Sequence, residues 1–210
     1  MVKKVHEFTH LDFSNYTKVE HGYLVIPRPD DKYRILPDVH ARICSVIHFA
    51  AKIGAKPEHG WIDNNALSEA MTRGALNEFV ALDDYIFKTY GQRLWLNEHR
   101  NTDPIHHMLK LLRNYNVHVS SSKIGSHPMQ ITLRFDLDKE YTINKFFISN
   151  LEIDGLSRLD NVHKHRSLLP QMIEVFNQAQ HVWGIDNLII KCTLDNTACL
   201  DVLLPPSATS

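Results

Sequence analysis

Arg113, Asn114 and His118 fall within six positions of one another, in the stretch LKLLRNYNVH that covers residues 109–118. These are the residue types that metal-free cleavage of RNA requires. A base must take the proton from a ribose 2′-hydroxyl, and an acid must protonate the departing 5′-oxygen. A fixed cation must stabilise the charge that builds on the phosphate between them. Histidine suits the two proton-transfer roles because imidazoles exchange protons near neutral pH. Arginine suits the third because its planar fork matches phosphate oxygens and stays charged. An adjacent asparagine can hold the imidazole or a phosphate oxygen. The plainer reading of the same residues is a solvated helix face whose last histidine complements the helix dipole.

The stretch closes a run with the marks of an amphipathic helix. Thr102 or Asp103 can cap it, and Pro104 suits its first turn. Ile105, Met108, Leu109, Leu112 and Tyr115 fall on one arc. His106, His107, Lys110, Arg113, Asn114 and His118 fall on the opposite arc, and Asn116 lands among the apolar residues. Lys110 and His107 are therefore candidates for binding substrate, each with a simpler reading as a surface side chain. Residues five apart lie about 140° apart around a helix, so Arg113 and His118 do not meet as an i,i+4 pair. Either the helix deforms near NVHVS, or a second copy faces this one across a two-fold axis and pools two arginines with two histidines.

On these residues, LLRNYNVH resembles the R-polar-x3-H signature of HEPN domains, a helical-bundle family of RNases and nucleotide-binding proteins. Arg113 matches the family's arginine, Asn114 the polar residue beside it and His118 the histidine. The resemblance covers residues 38–185. It implies a homodimer with the motif-bearing helix at the interface, and metal-independent RNA cleavage that leaves 2′,3′-cyclic phosphate ends. His118 would act as base or acid, Arg113 would stabilise the transition state and Asn114 would orient groups. It also implies a toxin or defence effector restrained by an antitoxin or regulatory protein. One acid of the preceding helix (Glu78, Asp83 or Asp84) would hold the arginine; otherwise these form a charged helix face. Some family members carry a tyrosine two residues after the histidine, where a nucleotidyltransferase modifies them. Position 120 is Ser, so that control is not implied here. The alternative within the same fold is a non-catalytic module that binds a nucleotide, RNA or partner protein.

Other elements must position this helix. A first helix is expected after Pro37–Asp38, with Val39, Ile43, Ile47 and Ala50 on one stripe and Gly54 at its end. A second spans 62–91, with Gly74 marking a break and Gly91 closing it. After the loop SSSKIGSHP the period changes to two in MQITLRFDL, with KFFISNLEI as hairpin partner or further helix. Residues 166–185 return to helical spacing, and NLIIKCTLDNTACLDVLL reads as a last helix. The fold class is mainly α, a HEPN-like helical bundle with a small β-hairpin insertion. Residues 1–37 read as an N-terminal arm, with GYLVIPR extended and RPDDKYRILPD a polar connection. Residues 38–204 form the helical domain and 205–210 a frayed tail.

Composition narrows the classes. With 23 basic and 24 acidic residues and a net charge of −1, the chain is no general polyanion binder, and contact with RNA must be local. That balance and the lack of a basic recognition helix also weigh against a DNA-binding winged helix. Three cysteines without a CxxC pair suggest neither a disulfide framework nor a cysteine zinc site, which fits the cytoplasm. His6 with His10, His163 with His165, and His106 with His107 lack a third ligand at a recognisable spacing, so no metal is expected. No GxGxxG, P-loop or GxSxG occurs, and no cofactor is expected. No apolar run approaches the roughly 20 residues of a membrane span. The N-terminus has no apolar core of a secretion signal. Trp61, Trp95 and Trp183 read as core or interface anchors.

Overall fold

Aspartates and prolines mark the starts of the first three helices. The computed structural model describes residues 11–13, 29–93, 102–133, 136–159 and 162–205. Helix α1 (Pro37–Ala51) has Pro37 in its first turn and buries Val39, Ile43, Val46, Ile47 and Ala50. Its C-cap is Lys52 rather than Gly54, and Asp38 does not cap its start but accepts the Tyr85 hydroxyl at 2.9 Å. Helix α2 (Asn64–Tyr90) is capped by Asp63, whose carboxylate accepts the Ala66 N–H at 2.7 Å. Gly91 closes it in the left-handed region, φ 72°. Helix α3 (Pro104–His118) is capped by Asp103, which accepts the Ile105 N–H at 2.8 Å.

The break expected at Gly74 is absent, and α2 runs through it. The glycine serves close packing instead. A Cβ there would sit 2.7 Å from the Phe49 ring of α1, so its absence lets the two helices approach. Helix α1 also lies against α6 (Ile185–Asp195), and α3 packs against α2 and α5 (Leu169–Trp183). A short α4 (Ile153–Leu156) links the hairpin to α5. Ile43, Leu76, Phe79, Met108, Leu109, Phe176 and Ile189 fill the shared core, each fully buried.

The hairpin is longer than its alternation suggests. Strand β1 (Ile124–Leu133) pairs antiparallel with β2 (Asp136–Ile148), from Ile124↔Ile148 to Thr132↔Glu140. It therefore begins inside SSSKIGSHP, which reads as loop, and β2 ends before NLEI. Gly125 and Pro128 hide the strand from a propensity reading. A proline is tolerated in a two-stranded sheet because each strand keeps one edge outside the ladder. The root of the hairpin is tied to α5 by Gln180, which is buried. Its amide accepts the Ile148 N–H at 2.9 Å and donates to the Ile148 carbonyl at 3.1 Å. Lys145, buried on β2, donates to the Trp183 carbonyl at 2.8 Å, where α5 ends.

The polar connection before α1 is docked rather than loose. Residues Asp31–Ile35 form a 3-10 helix, and Tyr33 is buried. Its hydroxyl lies 2.7 Å from the Thr197 carbonyl and 2.8 Å from the Asp201 carboxylate, which also pairs with Lys32. The final segment is α6 followed by a 3-10 helix (Thr197–Leu203) rather than one helix. GYLVIPR, Trp95, the pair His6 and His10, and residues 206–210 lie outside the described residues.

Candidate functional site

The polar arc of α3 divides into two halves with different surroundings. Residues Pro104 to Leu109 are buried all round, including His106 and His107. The surface position expected for His107 is therefore wrong. Its ring packs edge-on against buried His165, centroids 5.1 Å apart. A second layer, the segment before α5, covers the face that helical periodicity leaves open. Lys110 is half-buried, and the exposed end begins only at Val117 and His118.

His106 points away from His107. The Asn196 amide nitrogen lies 3.0 Å from His106 Nε2 and 2.6 Å from the Cys192 carbonyl. Asp103 Oδ2 lies 3.5 Å from the same ring nitrogen. Burial pushes the His106 pKa below its ordinary value, against the opposing pull of Asp103. A histidine with a lowered folded pKa binds fewer protons folded than unfolded. Its contribution is present above the unfolded value and is lost as pH falls through the folded one. The expected result is a larger fall in denaturation midpoint from pH 7.5 to 5 for the wild type than for His106→Gln. Equal falls would remove His106 from the acid sensitivity.

The open half of the arc holds Arg113, Asn114 and His118. Arg113 is half-buried, and its Nη1 donates to Asn114 Oδ1 at 2.9 Å. Its Nε–H is shielded from solvent and has no hydrogen-bond acceptor. The acids of α2 do not hold it. Arg93 Nη1 takes both Asp83 and Asp84 at 3.0 Å, with the Asp83 side chain fully buried, and Glu78 pairs with Arg42 at 3.7 Å. The reading that one of them holds Arg113 is not met within the chain. The DD pair is visible in the sequence, but its arginine partner comes after the Gly91 cap, where no periodicity points to it.

The helix stays regular through His118, with Val119 as its C-cap. Deformation near NVHVS therefore does not bring Arg113 and His118 together, and within one chain they stay about 140° apart around the axis. The chain turns immediately afterwards, and Asn116 makes the turn. It donates to the Leu112 carbonyl and to Ser122 Oγ, both at 2.8 Å, and accepts the Ser122 N–H at 2.7 Å. This explains a polar residue on the apolar arc. Asn116→Ala leaves the Ser122 amide, in a fully buried residue, without its acceptor. It is expected to cost about 1–3 kcal/mol. Urea denaturation and faster amide exchange at Ser122 are the readouts, and an unchanged midpoint would show that the latch is dispensable.

Fold and site together define a helical-bundle protein with a two-stranded hairpin and an Arg–Asn–His set closing one helix. Comparison with protein-family models, with curated proteins and with solved structures gives no match. Among the described residues, no helix is long and apolar enough to cross a membrane.

Proposed function

We propose that this protein is a metal-independent endoribonuclease of the HEPN type, acting in the cytoplasm as a homodimer. One observation carries the reading. Arg113 is oriented by Asn114 and keeps an Nε–H without an acceptor, on the same helix end that exposes His118. The guanidinium is thus held in place at the helix end that exposes an imidazole, and its Nε–H could reach a phosphate only once the groups shielding it move aside.

The regular helix gives the dimer its role. Two α3 helices facing each other across a two-fold axis would place the arginine of one copy near the histidine of the other. One imidazole takes the 2′-hydroxyl proton, and the 2′-oxygen attacks phosphorus. The other imidazole protonates the 5′-oxygen as the P–O bond breaks, leaving a 2′,3′-cyclic phosphate. Asn114 keeps the guanidinium in position. Lys110, half-buried two turns before the end of α3, is the candidate for a neighbouring phosphate; buried His107 is not a substrate contact. A toxin or defence effector held by an antitoxin or regulatory protein fits such an activity.

The test is a cleavage assay on unstructured RNA in EDTA, with end-group analysis of the products. Cleavage leaving 2′,3′-cyclic ends is expected. Cleavage that EDTA stops, or products with 3′-hydroxyl ends, would overturn the mechanism.

A further inference from the structure

The corner between α1 and α2, residues 52–63, walls a cavity of about 290 Å³. That is the lower end of the range for small-ligand sites. It suits one planar ring system better than an extended cofactor. Phe49, Leu67 and Met71 form part of its apolar lining. Trp61 also lines it, and of its two readings, core or interface anchor, exposure removes the first. At 80% exposure it is the most exposed of the large apolar side chains among the described residues. Its indole lies nearly parallel to the His59 ring, 10° between planes and 5.8 Å between centroids. Two flat rings are thus displayed together at the mouth of an apolar cavity.

The cavity also carries a small excess of positive charge. Lys52 and Lys56 line it against a single carboxylate, Glu58. In a chain of net charge −1 two lysines beside exposed rings are a local cationic feature. Flat rings interleaved with lysines match single-stranded nucleic acid, in which every base offers a π-face and every linkage a negative charge.

Position adds a third argument. Leu67 and Met71 of α2 line the cavity. Glu69 and Arg73, on the same turns but the other side of α2, hold the loop that follows His118. Lys123 Nζ meets Glu69 at 3.1 Å, and Arg73 Nη1 meets Ser121 Oγ at 3.5 Å. Cavity and His118 loop therefore share one end of the bundle, separated by the thickness of α2, about 10–12 Å.

We propose that this cavity is a base-stacking subsite for single-stranded RNA. A base lies on the Trp61–His59 rings, and Lys52 and Lys56 take the adjoining phosphates. The choice of RNA rests on the endoribonuclease reading; the stacking and the charge do not.

The test is a titration of the full-length protein with a 2′-O-methyl uridine hexamer. That probe cannot be cleaved because its 2′-oxygen is blocked. Binding is followed by fluorescence anisotropy of a 3′ label. Trp61→Ala is expected to weaken binding about 5- to 150-fold, the span measured for loss of one base–aromatic stack. Trp61→Phe is expected to restore much of the loss. Lys52→Ala with Lys56→Ala is expected to weaken binding and flatten its salt dependence.

Unchanged affinity in Trp61→Ala, with cleavage still lost in His118→Ala, would overturn the subsite and leave the nuclease reading standing. Trp61-dependent binding by a protein that cleaves no RNA would keep the subsite and remove the nuclease. Uridine monophosphate binding as tightly as the hexamer would assign the cavity to a free nucleotide and overturn its role in RNA binding.

Discussion

His118→Ala is expected to lower RNA cleavage about 100- to 10,000-fold, the range for losing a positioned acid or base. The side chain is exposed at the last turn of α3, so its removal touches no core contact. Arg113→Lys is the sharper companion. It keeps a positive charge but replaces a planar fork with a point charge, and cannot keep both the Asn114 bond and a bidentate phosphate contact. A loss of about 100- to 1,000-fold is expected, comparable to losing one donor to a developing charge. Initial rates in EDTA, measured beside urea midpoints, separate chemistry from unfolding. Wild-type rates in both variants would end the assignment of this helix end as a catalytic site.

The largest expected effect on stability belongs to Phe79→Ala. Phe79 is fully buried on α2, and its ring lies 6.2 Å from the ring of His106 on α3. The substitution removes a ring from the contact between two helices that are capped by Asp63 and Asp103 and cannot easily close the gap. A cost of about 3–5 kcal/mol is expected, of which the cavity is a large part. In a chain of this size each kcal/mol lowers the melting temperature by about 2–4 °C. Phe87, two turns further along α2 and 43% exposed, is the control. Its replacement by alanine is expected to cost about 1 kcal/mol or less. A Phe79→Ala variant no less stable than Phe87→Ala would place the core elsewhere.

The helices were readable because their signals are local. Pro37, Asp63, Asp103 and Gly91 act through the backbone of the next turn, and each stands where its helix begins or ends. Apolar spacing then assigns the core face, and Val39, Ile43, Phe79 and Leu109 are all buried. The hairpin was half readable. Alternation marks Met129 onward, whereas Gly125 and Pro128 carry strand geometry against their own preference because the β2 ladder holds them.

The site followed the same division. Arg113, Asn114 and His118 are found by type and spacing, since a helix turns a spacing into a face. Burial is not local, and it reversed one reading and narrowed another. His107 occupies the polar arc yet is covered by His165, and Trp61 has the most apolar surface of any side chain type yet stands in solvent. Neither fact is encoded within a few residues of its position. Pairing of charges is equally remote: Asp83 and Asp84 close on Arg93, leaving Arg113 to Asn114 alone among the α2 and α3 candidates.

By itself the sequence determined where α1 and α3 start and where α2 ends, the core-facing apolar stripes, and which three side chains close α3 on its open side. Those properties depend on dihedral preferences and on a 3.6-residue period, and both act over one or two turns. Only the tertiary structure decided that α3 stays regular through His118, that half of its polar arc is covered, and that the α1–α2 corner opens into a cavity beneath an exposed indole. Those depend on which surfaces meet, and that is settled by packing between segments far apart in the chain.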